Sequence, residues 1–211
     1  MERVIDDVVL TNIANAIRSK NGTNTQYEDV EMPQAILDIQ TGGGEVDNTL
    51  IDSIITRTLT HLESTTATSV ANTTFSDYTY LVSINLPLVE TVGSQSFRRC
   101  TALSQVNLPK VKTMMSECFY GDAKLTYIDL PSITTIQKGV FASTGLETLI
   151  IRTPQVCSLQ NITAVQNTPI ANGTGFVYVP DDLVDSYKSA TNWSTYANQI
   201  KGLSELNEVS V

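Results

Sequence analysis

Residues able to carry catalysis are scarce in this chain. His61 is the only histidine among 211 residues. One imidazole cannot build a histidine-based metal centre, and no carboxylate cluster at ligand spacing compensates. Cys100, Cys118 and Cys157 are odd in number and lack metal-ligand spacing, so buried reduced thiols are expected. No Ser or Cys stands in a nucleophile setting such as G-x-S-x-G. The run Gly42-Gly43-Gly44 leads into Glu45-Val46-Asp47 and not into the Lys-Ser/Thr of a phosphate loop. The expectation is a protein with no catalytic site, no metal and no cofactor, whose chemistry is that of a binding surface.

The candidate surface consists of polar pairs that recur along the chain: Ser83 with Asn85, Gln105 with Asn107, Tyr127 with Asp129, and Thr148 with Ile150. Amides, a carboxylate, hydroxyls and an aromatic ring are the groups a sugar-binding surface uses, since planar hydrogen-bonding groups hold hydroxyls and a ring face covers a pyranose. Solvated strand positions would present the same residue types. The pairs become a surface only if the chain brings them together, and that depends on the elements that carry them.

Those elements repeat. Phe75, Phe97, Phe119 and Phe141 stand at successive steps of 22 residues, as do Leu59, Leu81, Leu103 and Leu125, after which a step of 21 reaches Leu146. Leu62, Ile84, Val106 and Ile128 keep the same register and end at Leu149. Val70, Val92, Met114 and Ile136 form another column, and Leu-Pro recurs at Leu86-Pro87, Leu108-Pro109 and Leu130-Pro131. Fixed self-similarity of this period is the signature of a solenoid. In each unit apolar residues first alternate, as a short strand requires. Proline then removes a backbone donor and closes the strand. A threefold apolar spacing and the Phe return the chain along the convex side, through an expected extended piece and a turn of helix.

One coil cannot bury its own apolar edge, so coils must stack. The fold class expected is therefore α/β: a solenoid of about four coils of ~22 residues with short parallel strands. In such a strand the third and fifth positions face away from the core. Stacked ~4.8 Å apart, Ser83, Asn85, Gln105, Asn107, Tyr127, Asp129 and Thr148 would form a strip about 14 Å long on the concave face.

The unit resembles the BspA-like leucine-rich repeats of bacterial and phage surface proteins, with their Leu-Pro step and "aF..C" end, here Ser96-Phe97-Arg98-Arg99-Cys100. Asp122 and Thr144 replace that Cys in later coils, which makes it a packing choice and not a ligand. The resemblance covers roughly residues 57–174. Ser64 stands where the Leu of the Leu-Pro step belongs, so the first coil reads as a cap. Residues 175–211 read as a C-terminal cap: a strand at Phe176-Val177-Tyr178-Val179, a helix opened by Asp181-Asp182 with Leu183, Val184 and Tyr187 on one face, and a second short helix with Tyr196, Ala197 and Ile200. Trp193, the only tryptophan, is expected to pack in that cap. This tail is similar to the cap of phage-associated members of the repeat family.

Residues 1–41 differ in character. Val9, Ile13, Ala16 and Ile17 fall at helical spacing, and Met32-Pro33 starts a second short helix. Residues 42–56, with the Gly triplet, form a linker. So short a helical module has little core of its own and is expected to pack on a partner or on copies of itself. The string from Leu10 to Gly22 with Met32, Ala35, Ile36 and Ile39 resembles a module of tail and baseplate proteins from phages and prophages of Gram-positive bacteria.

Composition bounds the partners. The net charge is -9 and no Lys/Arg cluster stands out, which argues against nucleic acid and against anionic membranes. The N-terminus has acids where a secretory h-region would begin, and no apolar run approaches the ~20 residues of a membrane span. The resemblances imply a virion structural protein of tail, baseplate or fibre type, assembled in the host cytoplasm. Residues 1–41 would attach it to other virion proteins, and the solenoid would contact a host cell-surface glycan or protein. A head fibre or capsid decoration protein and a bacterial surface adhesin are the alternatives.

Overall fold

In a computed structural model of the protein, residues 56–208 are described. The expected helical module at 1–41 and nearly all of the linker at 42–56 lie outside the described residues. From His61 onward the chain winds through very short strands: β1 His61–Glu63, β2 Ser69–Val70, β3 Ser83–Asn85, β4 Thr91–Val92, β5 Gln105–Asn107, β6 Thr113–Met114, β7 Tyr127–Leu130, β8 Thr135–Ile136, β9 Thr148–Ile151, β10 Ser158–Leu159, β11 Phe176–Val179 and β12 Ile200–Gly202. Strands pair in parallel with the equivalent strand of a neighbouring coil, except that β5 and β7 do not pair. His61 lies opposite Ser83, Ser83 opposite Gln105, and Val70 opposite Val92.

The even-numbered strands β2 to β10 form one sheet of five. The odd-numbered strands form two groups, β1-β3-β5 and β7-β9-β11, the latter extended by β12. Five windings carry a strand in both files, one more than the four that the repeat suggests, because the coil after Leu146 keeps both strands while its spacing drifts. Its Val165 and Ala164 are fully buried at the end of a 3-10 turn, Ile162–Val165, that takes the place of the next Phe.

The Phe file is the axis of the core. Phe75, Phe97, Phe119 and Phe141 are fully buried, and consecutive rings lie nearly parallel with centroids 5.5, 5.4 and 6.1 Å apart. The Leu, Ile/Val and Val/Met/Ile columns pack around them. Ser64 is buried in the first coil, and its hydroxyl accepts the Ala67 N–H at 3.0 Å, so a hydrogen bond closes the turn that Leu and Pro close elsewhere.

The return path on the convex side is not a turn of helix. Two positions per coil have left-handed backbone: Thr73, Gln95, Glu117 and Gly139 in one column, Asp77, Arg99, Gly121 and Ser143 in the other. These reversals turn alternate N–H groups outward to the next coil. Phe75 N–H bonds to Ser96 O at 2.7 Å, Phe97 to Cys118 O at 2.9 Å and Phe119 to Val140 O at 3.0 Å. A helix would have spent those donors within its own coil. Glycine fits the left-handed geometry without strain at Gly121 and Gly139, whereas the other positions hold it against an intrinsic cost of roughly 1–2 kcal/mol each.

A tyrosine, cysteine, aspartate and threonine share one column at the end of this turn: Tyr78, Cys100, Asp122 and Thr144, all buried. Cys100 donates its thiol to Phe75 O at 3.2 Å, and Thr144 donates its hydroxyl to Phe141 O at 2.8 Å. Neither carboxylate oxygen of Asp122 has a hydrogen-bond partner. Burial therefore pushes this carboxyl well above the usual carboxylate range, against a smaller lowering from the Cys100 backbone, which favours the neutral form inside the fold. The three cysteines are buried and unbridged, as expected, and burial holds their thiols protonated, Cys157 up at about 12.

The tail caps the last coil by gripping its backbone. A 3-10 turn, Asp181–Leu183, leads into helix α2, Val184–Ser189, which follows the short α1, Pro169–Asn172. Trp193 Nε1 donates to Cys157 O at 2.7 Å, Tyr187 Oη accepts the Cys157 N–H at 2.8 Å, and Asn192 Nδ2 donates to Leu159 O at 2.7 Å. Trp193 is 1% exposed and edge-on to Tyr187, which makes it cap packing as its position suggested. Ile200, expected in a helix, lies in β12 instead. Its β-branched side chain is buried opposite Val177, and that pairing outweighs a helical ending.

Two outcomes test this core. Phe119→Ala removes a ring stacked on both sides and should cost about 3–5 kcal/mol in urea unfolding; a loss below about 1 kcal/mol would mean that the ring is not inside. For Asp122, the folded state keeps a proton that the unfolded chain releases above pH ~4, so stability falls as pH rises from there. Asp122→Asn removes that penalty. The melting temperatures of the two proteins should coincide near pH 3.5 and diverge in favour of Asn toward pH 7, whereas a pH-independent difference would show that the carboxyl is not buried neutral.

Candidate functional site

The stacked odd-numbered strands present two outward files. The first runs His61, Ser83, Gln105, Tyr127, Thr148 and Phe176; the second runs Glu63, Asn85, Asn107, Asp129, Ile150, Tyr178 and Lys201. All seven predicted surface residues, Ser83, Asn85, Gln105, Asn107, Tyr127, Asp129 and Thr148, stand in these files with side chains away from the core, while the residues between them (Ile84, Ile128, Leu149) are buried.

Ile150 departs from its expected outward exposure, for it is fully buried. It lies opposite Tyr178, which is 3% exposed, and both are outside the main core cluster. The 3-10 segment Leu203–Glu208 contacts β11 at this end, where Ile150 and Tyr178 are buried. Five further members of the files escaped sequence reasoning: His61, Glu63, Phe176, Tyr178 and Lys201. The alternation in Phe176-Val177-Tyr178-Val179 signals that Phe176 points outward, but only the register with Thr148 adds it to this face. Lys201 Nζ lies 4.1 Å from the Phe176 ring centroid and covers it.

Hydrogen bonding divides the face. At the N-terminal end the side chains bond one another. His61 Nδ1 and Ser83 Oγ are 2.7 Å apart, Asn85 Nδ2 donates to Glu63 Oε1, and Asn107 Nδ2 donates to Asn85 Oδ1 at 2.7 Å. These side chains form rungs between coils. The Ser83–His61 contact has the first two members of a nucleophilic triad, but the nearby Glu63 carboxylate is engaged by Asn85 and does not orient the imidazole. Toward the C-terminal end Asp129 is held by Arg152 through three contacts of 2.8 to 3.1 Å. That hydrogen bonding raises the Arg152 guanidinium above its ordinary value.

Between these tied groups, Gln105 and Thr148 have side chains with no hydrogen-bond partner among the described residues, and the Tyr127 ring is 51% exposed. The Tyr127 phenol is raised by partial burial and secondly by the Asp129 carboxylate, so it stays a neutral hydroxyl. Among the described residues no group of three or more His, Cys, Asp or Glu side chains could hold a metal, and no helix is long and apolar enough to cross a membrane.

A solenoid of parallel strands in coils of about 22 residues, with a Leu column in front and a Phe file inside, defines a leucine-rich-repeat protein. Residues 54–170 match six copies of the BspA type leucine rich repeat region, more than half of the chain, and the protein belongs to that family. No curated protein matches it. Among solved structures it is similar to a leucine-rich-repeat protein of T. pallidum, with a TM-score of 0.50 and 21% identity, over 58% of this chain and 60% of that one. A leucine rich cell surface protein of Faecalibacterium prausnitzii gives a TM-score of 0.45 at 19% identity, over 57% of this chain and 39% of that one. The chain thus matches less than two thirds of the length of either structure. The likeness to the T. pallidum protein shows the fold alone.

The division of the face into tied and free groups has a measurable consequence. Asn85→Ala breaks two side-chain hydrogen bonds and should lower stability by roughly 1–2 kcal/mol in urea unfolding. Gln105→Ala breaks none and should stay within about 0.5 kcal/mol of the parent. Equal effects would mean that the rungs do not form in solution.

Proposed function

We propose that this protein is a non-enzymatic recognition module that presents the outward strand files to a cell-surface ligand. The supporting observation is the face itself. Neutral polar side chains and exposed aromatic carbon are fixed in register by parallel pairing, so a ligand meets groups already ordered and little conformational entropy is lost on binding. Files that run along successive paired strands suit an extended ligand.

The placement we propose is a phage or prophage virion, as a tail, baseplate or fibre component, with residues 1–41 attached to other virion proteins and the solenoid reaching the host envelope. The resemblance of Leu10, Ile13, Ala16, Ile17, Gly22, Met32, Ala35 and Ile36 to a tail and baseplate module supports it. A bacterial surface adhesin is the second reading, favoured by membership in the BspA-type family, whose repeats resemble those of bacterial surface proteins as well.

Immunogold labelling with an antibody to the solenoid separates the two. Label on particles induced from the host supports the virion, whereas label on cells without particles supports the adhesin. In the virion case, deletion of residues 1–44 should leave a chain with parental circular dichroism that no longer joins particles. Continued incorporation would refute attachment through this segment.

A further inference from the structure

The parallel ladder of the outward face is broken in one place. Strands β1, β3 and β5 pair with one another, as do β7, β9, β11 and β12, but no pairing joins Gln105–Asn107 to Tyr127–Asp129. Two observations place a physical opening at this seam. Val106 is partly exposed, whereas its column neighbours Ile84 and Ile128 are each 1% exposed. The Phe119 and Phe141 rings, which stack across the same pair of coils, have the widest spacing in the file, 6.1 Å against 5.4 and 5.5 Å. On the convex side the same coils remain bonded, with Glu117 N–H to Lys138 O and Phe119 N–H to Val140 O both at 3.0 Å, so the coils splay only at the face.

The seam coincides with the groups left free on that face. Gln105 borders it on one side with an unengaged amide, and Asn107 keeps its Oδ1 free because only its Nδ2 is used in the rung to Asn85. Tyr127 borders it on the other side with an exposed ring, and Thr148 follows with a free hydroxyl. Main-chain donors and acceptors of the two facing strand edges open between them. The charged pair next to the site, Asp129 with Arg152, neutralises itself. The site therefore offers a flat ring, planar amide groups, a hydroxyl and strand-edge peptide groups with no net charge.

We infer that the seam between β5 and β7 is a carbohydrate subsite. A pyranose ring of a neutral oligosaccharide stacks its C–H face on Tyr127, while its hydroxyls bond to the Gln105 amide, Asn107 Oδ1, the Thr148 hydroxyl and the open strand edges. A basic or acidic peptide would find no free charge there. An apolar anchor would find little aliphatic surface, since Val106 is partly exposed and its column neighbours Ile84 and Ile128 are buried. This inference rests on the proposed recognition role of the same face and names the ligand class and the place.

The test titrates the full chain with neutral tetrasaccharides, chitotetraose and maltotetraose, and with a sialylated tetrasaccharide, following backbone amides by two-dimensional NMR. Binding of a neutral sugar should shift the amides of residues 105–107, 127 and 148. Tyr127→Ala should weaken that binding at least tenfold without moving the melting temperature, and Lys138→Ala, exposed on the convex side, should leave it unchanged. Shifts confined to other parts of the chain, preference for the sialylated sugar, or no binding of either neutral sugar overturns the subsite.

Adhesion of fluorescently labelled protein to host cells distinguishes failure here from failure of the broader reading. If Tyr127→Ala adheres normally while Asn85→Ala does not, the face still recognises its target and only the subsite is wrong. If neither variant changes adhesion, the recognition face itself is wrong.

Discussion

Each coil of this chain is too thin to bury its own apolar edge, and that constraint organises everything else. The edge must be covered by the next coil, and the covering works only if like residues meet at a constant translation. The result is a file of phenylalanines with rings nearly parallel, flanked by aliphatic columns, and a set of inter-coil backbone hydrogen bonds that can form only at that spacing. Fixing the core to a column also fixes the outward residues to a column. The candidate binding face is therefore a by-product of core stacking, free to vary in chemistry so long as the strand positions between stay apolar.

This coupling explains what was readable in the sequence. The 22-residue step gave both the inward Leu and Phe columns and, by alternation in a strand, the outward identity of Ser83, Asn85, Gln105, Asn107, Tyr127, Asp129 and Thr148. The even-numbered strands also follow from the pattern, since Val70, Val92, Met114 and Ile136 keep the same step. Trp193 was legible as cap packing because a solenoid must close its end, although its grip on the Cys157 carbonyl was not.

What the pattern could not show depends on backbone conformation and on contacts across irregular spacing. The left-handed columns carry Thr, Gln, Glu, Asp, Arg and Ser more often than Gly, so no residue type marks them, and the expected helical turn gave way to a path that spends its donors on the next coil. Ile150 follows the outward rule in its own strand, yet lies buried opposite Tyr178 of β11, a pairing across irregular spacing with no trace in the local sequence. The tying of Asp129 by Arg152, and of Asn85 by Glu63 and Asn107, likewise depends on reach between coils. These are the interactions that turn seven similar polar positions into a structural half and an available half.

The seam raises the question of how a fold held by stacking tolerates a gap in one of its ladders. A backbone hydrogen bond at an exposed strand edge is exchanged for one to water and contributes roughly 0.5–1.5 kcal/mol net, so losing a few at the surface is a modest penalty. Losing the core contact at the same level would cost several times more per ring. The coils respect that ordering: between the third and fourth windings the ladder gives way on the concave face, the Phe rings lie 6.1 Å apart against 5.4 and 5.5 Å elsewhere, and the β6–β8 pairing and the convex bonds stay intact. A hinge-like opening at the face is thus compatible with a closed core. It is also the arrangement by which a repeat fold, otherwise saturated with internal hydrogen bonds, can leave peptide groups free for a ligand.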